Sequence, residues 1–200
     1  MKKLIIFFIF LTCLFANTSC WSSTPGQQLR KTVAEVMELV STPTLEDPGR
    51  KLERQNQIFK VIENTFDFSE MARRALGSYY EQIGEREQAE FDLAFSRLVE
   101  KTYIRNIEQF QGQKMEVVGE RSVGGKYYHV ATEVTAGGRM VTVNYFLHEV
   151  QGQWLVYDVD VGGVSLVNGY RDKLRATMKT KKFKGLMSML NEQLKKLDEG

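Results

Sequence analysis

The sequence predicts an α+β fold, a four-stranded antiparallel curved sheet packed against helices. Three observations carry that prediction. Apolar residues recur at helical spacing over 26–112. They switch to period two over 114–161, with glycines between the runs. Helical spacing then returns over 165–197.

The chain opens with a short basic segment, Met1-Lys2-Lys3, and a nearly unbroken apolar run from Leu4 to Phe15. Small and polar residues follow from Ala16 to Ser23. A spanning helix needs about 20 apolar residues, so the run is too short, and the pattern is that of an export signal covering 1–22. The cut is expected between Thr18 and Ser23. Cys13 leaves with the signal and Cys20 sits at the junction, so no intramolecular disulfide framework is expected. A lipid anchor on Cys20 is the lesser alternative: Thr18-Ser19-Cys20 half fits such a signal, but Asn17 stands where it usually has leucine.

Residues 23–200 then form a single domain of about 180 residues, long enough for a sizeable core. The whole chain carries 27 basic and 25 acidic residues. Removing Lys2 and Lys3 leaves 25 against 25, a neutral protein. Nucleic-acid binding normally shows a strong basic surplus, so it is set aside.

Each element has its own signal. Leu29, Val33, Met37 and Val40 mark a first helix that ends near Pro43. Asp47-Pro48 provides a cap followed by proline at the first helical position. The helix after it carries Leu52, Ile58, Phe59 and Ile62. Short helical pieces span 66–83, with Asp67 or Ser69 as cap and Gly77 and Gly84 as punctuation. A long helix, roughly 85–110, groups Phe91, Phe95, Leu98 and Thr102 on one face, widened by Val99, Tyr103, Ile107 and Phe110. So broad an apolar face must be covered.

In the sheet half, Tyr128, Val130, Thr132 and Val134 alternate, as do Val141, Val143, Tyr145 and Leu147, and then Leu155, Tyr157, Val159 and Val161. Gly124-Gly125, Gly137-Gly138 and Gly152 read as hairpin turns. One face of this meander should meet the core. Two helices close the chain, one holding Leu166, Tyr170, Leu174 and Met178, the other Phe183, Leu186, Met187, Leu190 and Leu194.

Residues able to do bond chemistry are few. Gly163-Val164-Ser165-Leu166-Val167 lacks the last glycine of a nucleophile elbow, and Ser165 reads better as a helix cap. His129 and His148 lie on strands without metal-ligand spacing. Asp158 and Asp160 share one strand face, which suits acid–base work but more often keeps an outer face wet. No catalytic residue and no metal ligand is assigned. Phosphate-loop and dinucleotide fingerprints are both missing.

Two patterns remain. Large soft side chains (Met, Phe and Tyr) recur on both helices and sheet, as an adaptable apolar pocket would need, though each alone suits an ordinary core. Arg171, Lys173, Arg175, Lys179, Lys181, Lys182 and Lys184 face Asp172 alone. That run is either a solvated helix face or a surface drawn to anionic headgroups or an acidic partner.

Phe66-Asp67-Phe68, Met71-Ala72-Arg73, Ala75-Leu76-Gly77, Thr102-Tyr103, Trp154, Val156-Tyr157-Asp158-Val159, Gly163-Val164-Ser165-Leu166-Val167 and Tyr170-Arg171 together resemble the MlaC family, the periplasmic phospholipid-binding proteins also called toluene- or organic-solvent-tolerance proteins. The resemblance covers residues 23–200 in order. Tyr80 stands where that family often has tryptophan, Phe146 where it often has arginine, and Gly169 where it often has asparagine. These departures touch the pocket mouth and partner contacts.

The resemblance implies an NTF2-like cone with an added N-terminal helical region, whose cavity takes phospholipid acyl chains as cargo, with no cofactor. It implies a periplasmic carrier, expected to be a monomer, working between an outer-membrane lipoprotein complex and an inner-membrane ABC transporter with an MCE-type component, with transient membrane-proximal contacts. Face assignment and family analogy together place Phe95, Tyr103, Val143, Tyr145, Val159 and Val161 on the cavity wall. Met71, Leu76, Leu166 and Leu174 are expected near its mouth, and Arg171, Lys173 and Arg175 at a headgroup or partner. Two other readings stay open: an isomerase or esterase on the same cone, for which Ser165, Asp158 and Asp160 are the only candidates, and a plain interaction protein with a filled core.

Overall fold

A capping box starts the first described helix. Thr24 Oγ1 accepts the Gln27 N–H at 3.3 Å while Gln27 Oε1 accepts the Thr24 N–H at 3.1 Å. Pro25 occupies the first position of helix α1, Pro25–Ser41. The computed structural model describes residues 23–42, 47–108, 115–136 and 138–199. The export signal, Cys13, Cys20, the stop near Pro43, the long helix beyond 108, the start of the sheet at 114 and Gly137 lie outside them.

Asp47 begins the second helical segment: its Oδ1 accepts the Gly49 N–H at 3.0 Å and its carbonyl accepts the Arg50 N–H at 2.9 Å. A 3-10 turn, Pro48–Arg50, leads into α2, Lys51–Glu63. Helix α3, Phe68–Leu76, is capped by Asp67, whose Oδ1 accepts the Glu70 N–H at 2.9 Å. A second 3-10 turn, Gly77–Gln82, connects it to α4, Glu85–Glu108.

The sheet is an antiparallel meander in the order β1-β2-β3-β4-β5. Its strands are β1 Met115–Val123, β2 Tyr127–Ala136, β3 Arg139–Val150, β4 Gln153–Val161 and β5 Val164–Ser165. Mixed helices and an antiparallel sheet agree with the expected class. The fifth strand was not expected, because two residues are too short to show a period. Gly162 and Gly163, at φ 60° and 91°, make the tight turn that folds it back on Asp160 and Val161.

One register detail corrects the sequence reading of β4. Phe146 pairs with Asp158 but Leu147 pairs with Val156, so Tyr157 is an inserted bulge residue. A one-residue insertion exchanges the faces of a strand. Val156 and Val159 are therefore buried together, while Tyr157 turns to the other side and Val161 is 50 % exposed. The alternations of β2 and β3 hold: Val130, Thr132, Val134, Val143 and Leu147 are buried, and Thr132 Oγ1 donates to the Val143 carbonyl at 3.0 Å.

The last element, α5, Leu166–Glu199, breaks at Lys182 (φ 55°, ψ −171°). Thr177 Oγ1 lies 3.4 Å from Met189 Sδ. A straight helix would separate residues twelve apart by about 18 Å, so the two halves form a folded-back hairpin, the two closing helices the sequence predicts.

The buried apolar side chains form three clusters. A helical cluster from α3, α4 and α5 includes Met71, Phe91, Phe95, Leu174, Leu186 and Leu190. A sheet cluster joins Leu29 of α1 to Val130, Val134, Val143, Leu147, Val156 and Val159. Val40, Ile58 and Ile104 form a third between α1, α2 and α4. Phe66 packs against the first two. It is held by a parallel bridge to Val156, with Asp67 N–H to Val156 O at 2.9 Å and Val156 N–H to Thr65 O at 2.8 Å.

Candidate functional site

A domain of this length usually builds one contiguous core. Here α1 approaches β1 and β2, α3 and α5 approach β4, and α2 and α4 pack chiefly on other helices. The buried residues of β3 join the sheet cluster, whereas Ile58 of α2 and Ile104 of α4 join a separate one. Half-buried apolar side chains pack against each: Val141 and Tyr145 of β3 on the sheet cluster, and Val36, Leu39, Ile62 and Ile107 on the other.

Tyr145 is the most informative of them. Burial alone pushes its hydroxyl up to about 12. Among the described residues the hydroxyl has no hydrogen-bond partner. A phenol in apolar surroundings without a partner is costly to keep in a packed core. Helix α2 is thinly held, since Ile58 is the one residue it buries.

The ten residues expected on a single cavity divide between two clusters. Phe95, Met71, Leu76 and Leu174 are at most 1 % exposed in the helical cluster, with Tyr103 and Leu166 half-buried against it. Phe95 is packed between Phe91, 5.9 Å away, and Tyr170, edge-on at 5.4 Å. Burial raises the hydroxyls of Tyr103 and Tyr170. Met71, Leu76 and Leu174 are buried where α5 packs on α3. Val143, Tyr145 and Val159 meet in the sheet cluster, and Val161 is at its exposed edge.

Two open hollows lie elsewhere. One of about 400 Å³ sits on the opposite sheet face, lined by Arg74, Arg121, Tyr127, His129, Phe146 and Tyr157 among others. The Arg74 guanidinium is 3.9 Å above the Tyr157 ring. The other, about 300 Å³, lies between α4 and α5. None of the ten residues lines either. The bulge at Tyr157 could not be read from sequence, and with it the aromatic wall of the first hollow was missed.

The polar candidates are engaged in holding a corner together. Ser165 Oγ donates to Asp158 Oδ2 at 2.6 Å and accepts the Asn168 N–H at 3.0 Å, so it caps α5. Asp158 Oδ1 accepts the N–H groups of Val159 and Val167 at 2.8 and 3.0 Å. Asp160 Oδ1 accepts the Gly163 N–H at 2.9 Å. The histidines are apart from this corner: His148 Nε2 pairs with Asp67 Oδ2 at 3.0 Å, and His129 lies between Arg121 and Asn144. Among the described residues no metal-binding group of three or more carboxylate, His or Cys side chains forms.

Arg171 and Arg175 are different. They sit one turn apart on α5, half-buried, and the Nε of each is buried without a partner. Among the described residues neither is ion-paired. The Arg175 guanidinium lies flat on Gly77 (φ 64°); a Cβ there would be 1.8 Å from Nη2. With exposed Lys173 between them, the two form a cationic surface.

Comparison with known proteins bears on the same question. The family model described as MlaC protein matches residues 30–192. The intermembrane phospholipid transport system binding protein MlaC of Haemophilus influenzae is 26 % identical over 99 residues, covering 47 % of this chain and 46 % of that protein. The match thus spans about half the length of that curated relative. A phospholipid-binding protein from Ralstonia solanacearum, solved in complex with a phospholipid, shares the fold at a TM-score of 0.75 and 19 % identity, covering 86 % of this chain and 97 % of that one.

Proposed function

The chain belongs to the MlaC protein family, and from that premise we propose that it is a periplasmic carrier that binds phospholipid by its acyl chains and moves it between membranes. Its expected partners are an outer-membrane lipoprotein complex and an inner-membrane ABC transporter with an MCE-type component. It performs no bond chemistry in this reading.

The observation that carries the proposal is the desolvated Tyr145 hydroxyl, without a hydrogen-bond partner among the described residues and set among the apolar side chains of the sheet cluster. Val143, Tyr145 and Val159 form the sheet side of the acyl site. Acyl chains enter as α1 and α2, which bury few residues, move away from the sheet. Arg171, Lys173 and Arg175 supply cations for a headgroup phosphate or an acidic partner surface.

Elementary energetics favours a carrier. Each acyl methylene kept in water costs about 0.8 kcal/mol. A two-chain lipid has roughly thirty, so crossing an aqueous compartment unaided costs on the order of 20 kcal/mol. An apolar site removes most of that penalty without catalysis. Release then requires a partner that opens the wall or offers a better apolar site.

Mass spectrometry of an organic extract of the purified protein tests the reading. Phospholipid at near-stoichiometric amount is expected, and much less of it from Val143→Glu that still melts cooperatively. An extract free of phospholipid from wild-type protein expressed in a bacterial host, or an equal yield from folded Val143→Glu, rejects it.

A further inference from the structure

The turn of the α5 hairpin carries a charge pattern that the acyl site does not use. Lys179, Lys181, Lys182 and Lys184 are all exposed there, and among the described residues none is ion-paired. Phe183 between them is half-buried and packs inward on the helical cluster, which anchors the tip. The acidic groups facing the tip are few. Glu87 and Glu90 of α4 line the shallow hollow beside Phe183 and Lys184, and Glu192, paired with Lys196 at 2.7 Å, is near Lys181 and Lys173.

Lys182 adds a second observation. Its φ of 55° with ψ of −171° belongs to a backbone region that glycine occupies freely and that strains other residues. Glycine at 182 would make the same turn without strain. Lysine there holds a cation at the apex of the hairpin.

We propose that this tip docks the protein on an anionic lipid surface. Protein interfaces centre on buried aromatic or aliphatic anchors. No large apolar side chain over 179–184 is exposed to serve as such an anchor. Four flexible ammonium groups on a convex turn suit a layer of anionic headgroups instead. Each lysine contributes about fivefold in affinity near such a surface. That makes the contact weak and reversible, as a visiting protein requires. The inference stands on the tip alone and is independent of the acyl site.

Flotation of the purified protein with vesicles tests it, comparing phosphatidylcholine alone with equal parts phosphatidylcholine and phosphatidylglycerol. Binding is expected to the anionic vesicles only, and to fade as salt rises. The double variant Lys179→Gln/Lys184→Gln should lose about 25-fold, two lysines at about fivefold each. Lys182→Gly should melt at a higher temperature yet bind about fivefold more weakly, a combination that a merely structural lysine would not give. Equal partition onto both vesicle types, no partition at low salt, or unchanged binding by the double variant overturns the proposal. Failure at low salt would leave an acidic protein surface as the tip's partner. Phospholipid content, measured on the same preparations, should not change with these substitutions, so failure here is separable from failure of the carrier reading.

Discussion

Asp67 and His148 are joined at 3.0 Å, and the same carboxylate caps α3 with its other oxygen at 2.9 Å from the Glu70 N–H. One side chain thus fixes both the start of a helix and its position over β3. Because Asp67 also gives its N–H to Val156, the helical and sheet clusters are locked together at this point.

Asp67→Ala should therefore cost more than a simple cap, which is worth about 1 kcal/mol. Asp67→Asn keeps an acceptor for the cap and should retain most of the stability. Urea unfolding of both variants checks this. Equal losses in the two would mean that the acceptor retained by asparagine does not hold the cap.

Gly77→Ala should destabilise for two separable reasons. The left-handed backbone costs a non-glycine residue about 1–2 kcal/mol, and the new methyl would meet the Arg175 guanidinium. In an Arg175→Ala background only the backbone cost should remain. A double-mutant cycle by denaturant unfolding measures the difference. Strict additivity would show that Arg175 does not lie on Gly77 in solution.

Tyr145 gives the alkaline prediction. Its hydroxyl, held up to about 12 by burial, keeps its proton in the folded state at pH values where an unfolded tyrosine, near pKa 10, has lost it. The folded state therefore binds more protons between pH 10 and about 12, and stability falls as pH rises through that window. Tyr145→Phe removes this part of the loss. At about pH 11 its melting temperature should have dropped less from the neutral value than that of the wild type. Superimposable alkaline melting curves would contradict the desolvated placement.

Phe95 separates core from acyl site. Sequence reasoning put it on the cavity wall, whereas its contacts with Phe91 and Tyr170 put it in the helical cluster. Phe95→Ala should cost about 3–5 kcal/mol and leave the lipid-to-protein ratio of the folded fraction unchanged. Tyr145→Glu should do the reverse, lowering bound phospholipid more than the melting temperature. Calorimetry with phosphorus analysis of the extract distinguishes them.

Much of the fold was legible along the chain because its signals are local. The Asp47 and Asp67 caps, the period-two runs of β2 and β3, and the turn before α5 each depend on a few neighbouring residues. The Ser165 cap belongs to the same class, since its bond to the Asn168 N–H spans three residues. The candidate site was less legible. Phe95 and Tyr145 both read as large apolar residues on broad apolar faces, and nothing in their spacing says that one meets aromatic rings and the other leaves its hydroxyl desolvated in the sheet cluster.

By itself the sequence determined the order of the helices and of β1 to β4, the caps at Asp67 and Ser165 and the faces of β2 and β3, for those follow from backbone hydrogen bonding and side-chain period. Only the tertiary structure decided that a bulge at Tyr157 exchanges the faces of β4, that α5 folds back at Lys182, and that the apolar residues divide into three clusters. Those outcomes depend on which distant surfaces fit together. A pattern of residue types along a chain records what must leave water, and does not record what it will pack against.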